Sequence, residues 1–295
     1  VTRAALPRVP AMRIAGLTAL ALLAFAGNSL LCRLALAHQL IDPGRFTVIR
    51  LVSGAAALWL VLRLERRGTP VGGSWGGALA LCVYAGAFSF AYVTLPAGAG
   101  ALLLFGAVQV TMVAAALVRG ERPTGPQALG FVLALGGLAA LLGPGASAPS
   151  VEGSGLMIAA GVAWGAYSLL GRGARDPLAA TAGNFLRAAP VAALALGPAI
   201  VTGPTIDLLG VAYAALSGIL ASGLGYAVWY AALRGLSPVQ GASVQLGVPV
   251  VTAVAGAIAL DEAVTLRLAA SAATILGGIA LVVARSGPCR VPPQE

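Results

Sequence analysis

No charged side chain occurs anywhere between Gly68 and Val118. A helix needs about 20 apolar residues to cross the ~30 Å hydrocarbon layer of a bilayer, so this stretch is long enough to cross twice. Its one strong break, Leu95-Pro96, is what a turn between two helices requires. The pattern recurs along the whole chain. Apolar windows bounded by turn signals fall at 13–36, 45–63, 74–94, 98–118 and 125–143. Five more follow at 153–171, 180–201, 207–232, 238–259 and 265–284. Asp42-Pro43-Gly44, Arg63 to Gly68, Gly120-Glu121-Arg122-Pro123 and Gly143-Pro144-Gly145 supply the other breaks of the first half. Such windows are about twice the length of barrel strands and do not alternate. They predict an all-α integral membrane protein of ten transmembrane helices.

Composition closes the soluble alternatives. The 295 residues are 59% hydrophobic and 9% charged, against about 45–50% and about 25% in soluble domains. A chain this long in water needs a polar shell that these residues cannot supply. The net charge of +9 invites a nucleic-acid reading, but all 18 basic residues are Arg, spread thinly between apolar runs. No cluster has the density or aromatic interleaving of a nucleic-acid surface, so no such partner is expected. Cys32, Cys82 and Cys289 are odd in number and scattered, which implies no disulfide framework.

The chain also repeats itself. At an offset of 141, Gly106 matches Gly247, Glu121 matches Glu262, Thr124 matches Thr265, and Gly136-Gly137 matches Gly277-Gly278. At an offset of 138, Gly27 matches Gly165, Tyr92 matches Tyr230 and Leu95 matches Leu233; Arg50 and Arg187 correspond at 137. Two copies of a five-span unit follow. Five is odd, so the second copy enters the membrane inverted, an arrangement from which many transporters are built. With the N-terminus inside, the cytoplasmic stretches hold thirteen of the eighteen arginines, whereas the opposite side holds Arg33, Arg45, Arg50 and Arg267. The positive-inside rule therefore puts both termini in the cytoplasm. The expected organisation is a tail at 1–12, a first repeat at 13–146, an inverted second repeat at 147–286 and a tail at 287–295. Arg3, Arg8 and Arg13 ahead of an apolar run imitate a signal peptide. The first window's counterpart at 153–171 argues that it is a retained span instead.

These features resemble a known family. Two inverted five-helix halves, with the Gly-Glu-Arg-Pro-Thr…Gly-Phe…Gly-Gly-Leu-Ala pattern at 120–139, are similar to the EamA-type domains of the drug/metabolite transporter superfamily. The echo at 261–280, Asp-Glu-Ala-Val-Thr…Gly-Gly-Ile-Ala, matches less completely. Within that family the chain looks closest to the YddG aromatic amino acid exporters. The resemblance implies an exporter of amino acids or related metabolites in a bacterial inner membrane. It also implies a central cavity lined by the first, third and fourth helices of each half.

The acidic residues are Asp42, Glu65, Glu121, Glu152, Asp176, Asp207, Asp261, Glu262 and Glu295, and each falls in a loop, a span end or a tail. His38, the single histidine, lies at a span end as well. A carboxylate buried mid-membrane is the usual mark of a proton relay or cation site. Its absence favours facilitated diffusion by alternating access over the alternative, a proton-coupled exporter of drugs. Glu121 and Glu262 precede spans with Thr124 and Thr265 as N-caps, where acidic charge favours the positive end of a helix dipole. Arg50 and Arg187 admit two readings, a snorkelling interfacial arginine or a temporary partner for a substrate carboxylate at a gate.

The uncharged polar and aromatic residues near mid-span are the candidate substrate-binding residues. Asn28, Gln109, Ser243 and Gln245 offer hydrogen bonds without fixed charge. Tyr84 and Phe88 share a helix face, as do Ser222 and Tyr226 at the matching positions of the second half. Trp164 and Tyr167 add aromatic surface for an apolar side chain. Trp59 and Trp75, near span ends, read as interfacial belt residues. Gly223-Leu224-Gly225 and Pro249 inside spans mark breaks or hinges. With one histidine and no Walker A pattern, no enzyme activity, cofactor or metal is expected. The expected partners are a small-molecule substrate and the lipid bilayer, with the monomer as a sufficient unit.

Overall fold

A computed structural model describes residues 11–65, 71–120, 124–145, 148–171, 174–202, 206–236, 241 and 244–284. Ser243 and Glu121 lie outside the described residues. The chain runs through α1 (Ala11–Ala37), α2 (Pro43–Glu65), α3 (Trp75–Ala91), α4 (Ala97–Val118) and α5 (Gly125–Leu142). It continues through α6 (Val151–Leu170), α7 (Pro177–Thr202), α8 (Leu208–Leu233), α9 (Gly247–Leu260) and α10 (Leu266–Ala284). No strand occurs among the described residues.

Most helices begin on a residue that accepts from the first turn's orphan N–H groups. Asp42 accepts from Arg45 N at 2.9 Å, Ser74 from Gly77 N at 3.0 Å and Ser150 from Gly153 N at 3.2 Å. Asp176 accepts from Ala179 N, Asp207 from Leu209 N and Thr265 from Leu268 N. Thr124 starts α5 with Gln127 reaching back to its backbone at 2.9 Å, one half of a capping box. The described acidic residues thus sit at helix ends and in loops, as the sequence predicts.

Among the described residues, seven helices are long and apolar enough to cross a membrane. The shorter apolar helices are α3, α9 and α10. The start of α9 has a specific cause. The helix breaks at Leu246, ahead of Pro249, whose ring nitrogen has no hydrogen to return to the Gln245 carbonyl. In the middle of α8, Ser217–Leu224 widens into a π-helical segment that takes in Gly223 and Leu224, the kind of local rewinding that clusters at functional sites.

Packing follows the internal repeat. If each helix is exchanged for its counterpart five places on, the largest helix contacts map onto one another. α2 packs on α7, α4 on α9 and α5 on α10, each helix against its own counterpart. The α3–α6 contact answers to α8–α1, and α4–α6 answers to α9–α1. The correspondence extends to single glycines. Gly130 meets the backbone of Gly278, and Gly137 meets that of Ser271, the exchanged pair on the same α5–α10 seam. Gly161 approaches Ala107 and Leu104 of α4, and Gly218 lies against Ser53 and the Arg50 carbonyl of α2. Small residues let helix backbones come this close where hydrophobicity alone gives no drive to associate. Two apolar cores result, and Tyr84 packs against both.

Candidate functional site

The two cores meet at a cavity in the middle of the bundle, built from α1, α3, α4, α6 and α8 together with Gln245 just before α9. Counterpart positions converge on it. Tyr84 and Phe88 come from α3, and Ser222 and Tyr226 from the matching turns of α8; Leu104 of α4 corresponds to Gln245. Asn28 and Trp164 complete the part expected from sequence.

The walls are mostly aromatic. Trp164 lies at the centre, with ring centroids 4.9 Å from Tyr84, 5.1 Å from Tyr167 and 5.6 Å from Tyr226. The Tyr167 and Tyr226 contacts are stacked, at 18° and 30° between planes. Phe25 continues the series through Tyr226 at 5.8 Å, and Tyr84 through Phe88 at 5.4 Å to Tyr92. Each such pair is worth about 0.5–1.5 kcal/mol beyond burial, so the rings hold one another in place. The cavity volume is about 40 Å³.

The polar groups are placed by the helices behind them. Asn28 Oδ1 accepts from Ser217 Oγ at 2.7 Å, where Ser217 opens the π segment of α8. Asn28 Nδ2 donates to the Tyr84 hydroxyl at 3.4 Å. One amide therefore bridges α8 and α3 across the cavity edge, between the buried hydroxyl of Ser217 and the half-buried one of Tyr84.

Not every expected residue reaches the cavity. Gln109 is four residues past Phe105 on α4, one turn beyond the lining on the same face. Tyr167 stacks on Trp164 from outside the lining, and its hydroxyl donates to Thr181 Oγ1 at 3.2 Å. Ser243 lies outside the described residues. Conversely Phe25, Ser29, Leu104, Phe105 and Ala221 line the cavity without having been expected. Phe25 and Ser29 share the Asn28 side of α1, so their placement by helical spacing was available in the sequence.

Arg50 corrects the interfacial reading. Far from snorkelling to a membrane surface, it is 2% exposed. Its guanidinium carbon lies 5.0 Å from the Phe88 ring centroid and 5.6 Å from that of Tyr84. Arg187 is half-buried and donates to the carbonyls of Gly72 at 2.8 Å and Gly183 at 2.9 Å.

Two polar clusters flank the cavity at opposite ends of α3. At the Tyr92 end, Arg33 Nε donates to Glu262 Oε1 at 2.9 Å, and its Nη1 donates to the carbonyls of Tyr92 and Val93 at 3.0 Å. Glu262 Oε2 accepts from the backbone N of Ala97 at 2.7 Å. Glu262 therefore does not serve its own helix, as the sequence suggests, but the first turn of α4. That pins the α9–α10 connection onto α1, α3 and α4. Nearby, the hydroxyls of Thr94 and Ser150 are 2.6 Å apart. At the Ser74 end, Asn184 Oδ1 accepts from Ser74 N at 2.8 Å, and Thr181 Oγ1 lies 2.9 Å from the Tyr230 hydroxyl. Both clusters join the two halves.

The family model described as the EamA-like transporter family matches the chain twice, over residues 12–143 and 152–284. An uncharacterized protein of Pseudomonas aeruginosa is 60% identical over 277 residues, covering 94% of this chain and 96% of its own. Among solved structures, the crystal structure of a protein 25% identical matches with a TM-score of 0.63. That likeness spans 94% of this chain and 99% of the other.

Proposed function

The chain belongs to the EamA-like transporter family and is a multi-pass membrane transporter of small molecules, and from that premise we propose that it exports aromatic and hydrophobic amino acids and related metabolites. All ten helices cross the bacterial inner membrane in this reading, with both termini cytoplasmic. The short helices α3, α9 and α10 cross beside their longer neighbours. The observation that carries the substrate class is the neutral, ring-walled cavity. Trp164, Tyr84 and Tyr226 offer faces to an apolar or aromatic side chain. Asn28, Ser222 and Gln245 offer donors and acceptors to the amino acid's polar groups.

The mechanism is alternating access. The Arg33–Glu262 cluster is the external gate. The Ser74–Asn184 contact, with Arg187 on the Gly72 and Gly183 carbonyls, is the cytoplasmic one. The cavity lies between two closed ends. Opening one cluster while the other holds gives the cavity to one side at a time, and the π segment of α8 is a natural flexing point. Among the described residues every carboxylate sits at a helix end or in a loop, and none lines the cavity. A proton-driven cycle has no carrier there, which supports diffusion down the substrate's own gradient.

Proteoliposome uptake of labelled neutral and aromatic amino acids, with and without an imposed pH gradient, tests both parts. Equilibration independent of the gradient is the expected result. Accumulation only under a proton gradient would end the uniport reading. Absence of flux for every amino acid would end the substrate reading.

A further inference from the structure

Arg50 and Arg187 hold matching positions in α2 and α7, yet the protein uses them in opposite ways. Arg187 spends its guanidinium on two backbone carbonyls and so ties α7 to the segment before α3. Arg50 is the largest of the fully buried side chains, and neither of its terminal nitrogens has a hydrogen-bond partner among the described residues. No acid offsets it. The ion pairs among the described residues are Arg33–Glu262 and Arg45–Asp42, both elsewhere.

A cation kept from water without a counter-ion is among the costliest groups a fold can retain. Inside a membrane span such a group marks function by default. If Arg50 served only to hold helices together, it would be satisfied as its counterpart is. Instead its charge faces Phe88 and Tyr84, two rings that also line the cavity. Ring faces offset part of the cost. They leave its two terminal nitrogens without a hydrogen-bond partner among the described residues, and that fork matches the two oxygens of a carboxylate.

We infer that Arg50 is the carboxylate anchor of the transport site, screened by Tyr84 and Phe88 until a substrate arrives. The molecules carried therefore bear a carboxylate beside an apolar or aromatic body. A rotamer change at either ring brings carboxylate and guanidinium together, while Trp164 and Tyr226 keep the apolar part. The two halves of the repeat are functionally unequal: the first supplies the anchor, and the second uses the same position for scaffolding. This inference rests on the central cavity being the transport site.

Matched acids and amides test it. Counterflow in proteoliposomes would compare 3-phenylpropanoate with 3-phenylpropanamide, and isovalerate with isovaleramide, for the wild type, R50Q and R50K. The wild type should favour the acids by about 10- to 100-fold, the range expected for charge-assisted hydrogen bonds. R50Q should lose that preference while still carrying the amides, and R50K should keep part of it. Should R50Q fail to fold, discrimination within the wild-type pairs decides alone. Equal carriage of acid and amide in both pairs overturns the inference, and so does an R50Q protein that loses acid and amide transport alike. Carriage of isovalerate over isovaleramide without any aromatic flux overturns the aromatic substrate reading but leaves the arginine's role standing. Carriage of neither pair overturns both.

Discussion

Asn28 is the residue on which the neutral half of the site turns. It is 8% exposed and bridges Ser217 of α8 and Tyr84 of α3. Asn28→Ala removes both bonds and leaves the Ser217 hydroxyl without its buried acceptor, a loss of about 1–3 kcal/mol. Transport by Asn28→Ala should fall at least about 10-fold, with membrane expression retained, measured as initial uptake against protein level. An unchanged rate would remove Asn28 from the site. The polar side of the cavity is legible in the sequence, because an amide in an apolar span must bond either a helix or a ligand. Phenylalanines carry no such signal of their own: Phe105 looks like an ordinary span residue, and Phe25 is reached only through its helical spacing from Asn28. The stretch around Trp164 shows the limit from the other direction. Tyr167 shares its aromatic character and lies three residues on, yet its hydroxyl is drawn off to Thr181.

At the scale of elements, α8 depends on how closely it approaches α2. A side chain on Gly218 would collide with Ser53 and with the carbonyl of Arg50, whereas Gly86 on α3 has open space around it. Gly218→Leu should therefore lower the melting temperature in detergent and abolish transport. Gly86→Ala should match the wild type or exceed it slightly, as replacing a helical glycine favours the helix by about 0.5–1 kcal/mol. A Gly218→Leu protein with native melting would mean that the α2–α8 seam is looser than drawn. The helix start at Thr265 was readable as a cap, and Asp42, Ser150 and Asp207 cap by the same chemistry, because membrane helices need the same caps as soluble ones. The interruption around Gly223 was readable too, although glycine spacing alone does not say that the break takes a π-helical form. The length of α9 was not, since the effect of Pro249 falls several residues upstream of the proline itself.

For the molecule as a whole, the repeat was the most informative feature, because matching blocks fix which helices exchange places. What no single copy encodes is how unequally the copies are used, as with Arg50 and Arg187. The gating proposal predicts that locking either end stops the cycle. With the native cysteines replaced, Thr94→Cys with Ser150→Cys bridges the halves at one end, and Ser74→Cys with Asn184→Cys bridges them at the other. Crosslinking either pair should arrest transport and reduction should restore it; flux that survives both crosslinks would rule out alternating access. The seam between α5 and α10 carries a further consequence, for the order in which the protein is made. Gly130 and Gly137 prepare a flat, small-residue face on α5, and the backbone that fills it belongs to α10, the last described helix to leave the ribosome. The first half must therefore wait in the bilayer with that face against lipid until α10 has been made. α10 is the keystone of the bundle, and a chain interrupted before it is left as an arch still standing on its scaffolding.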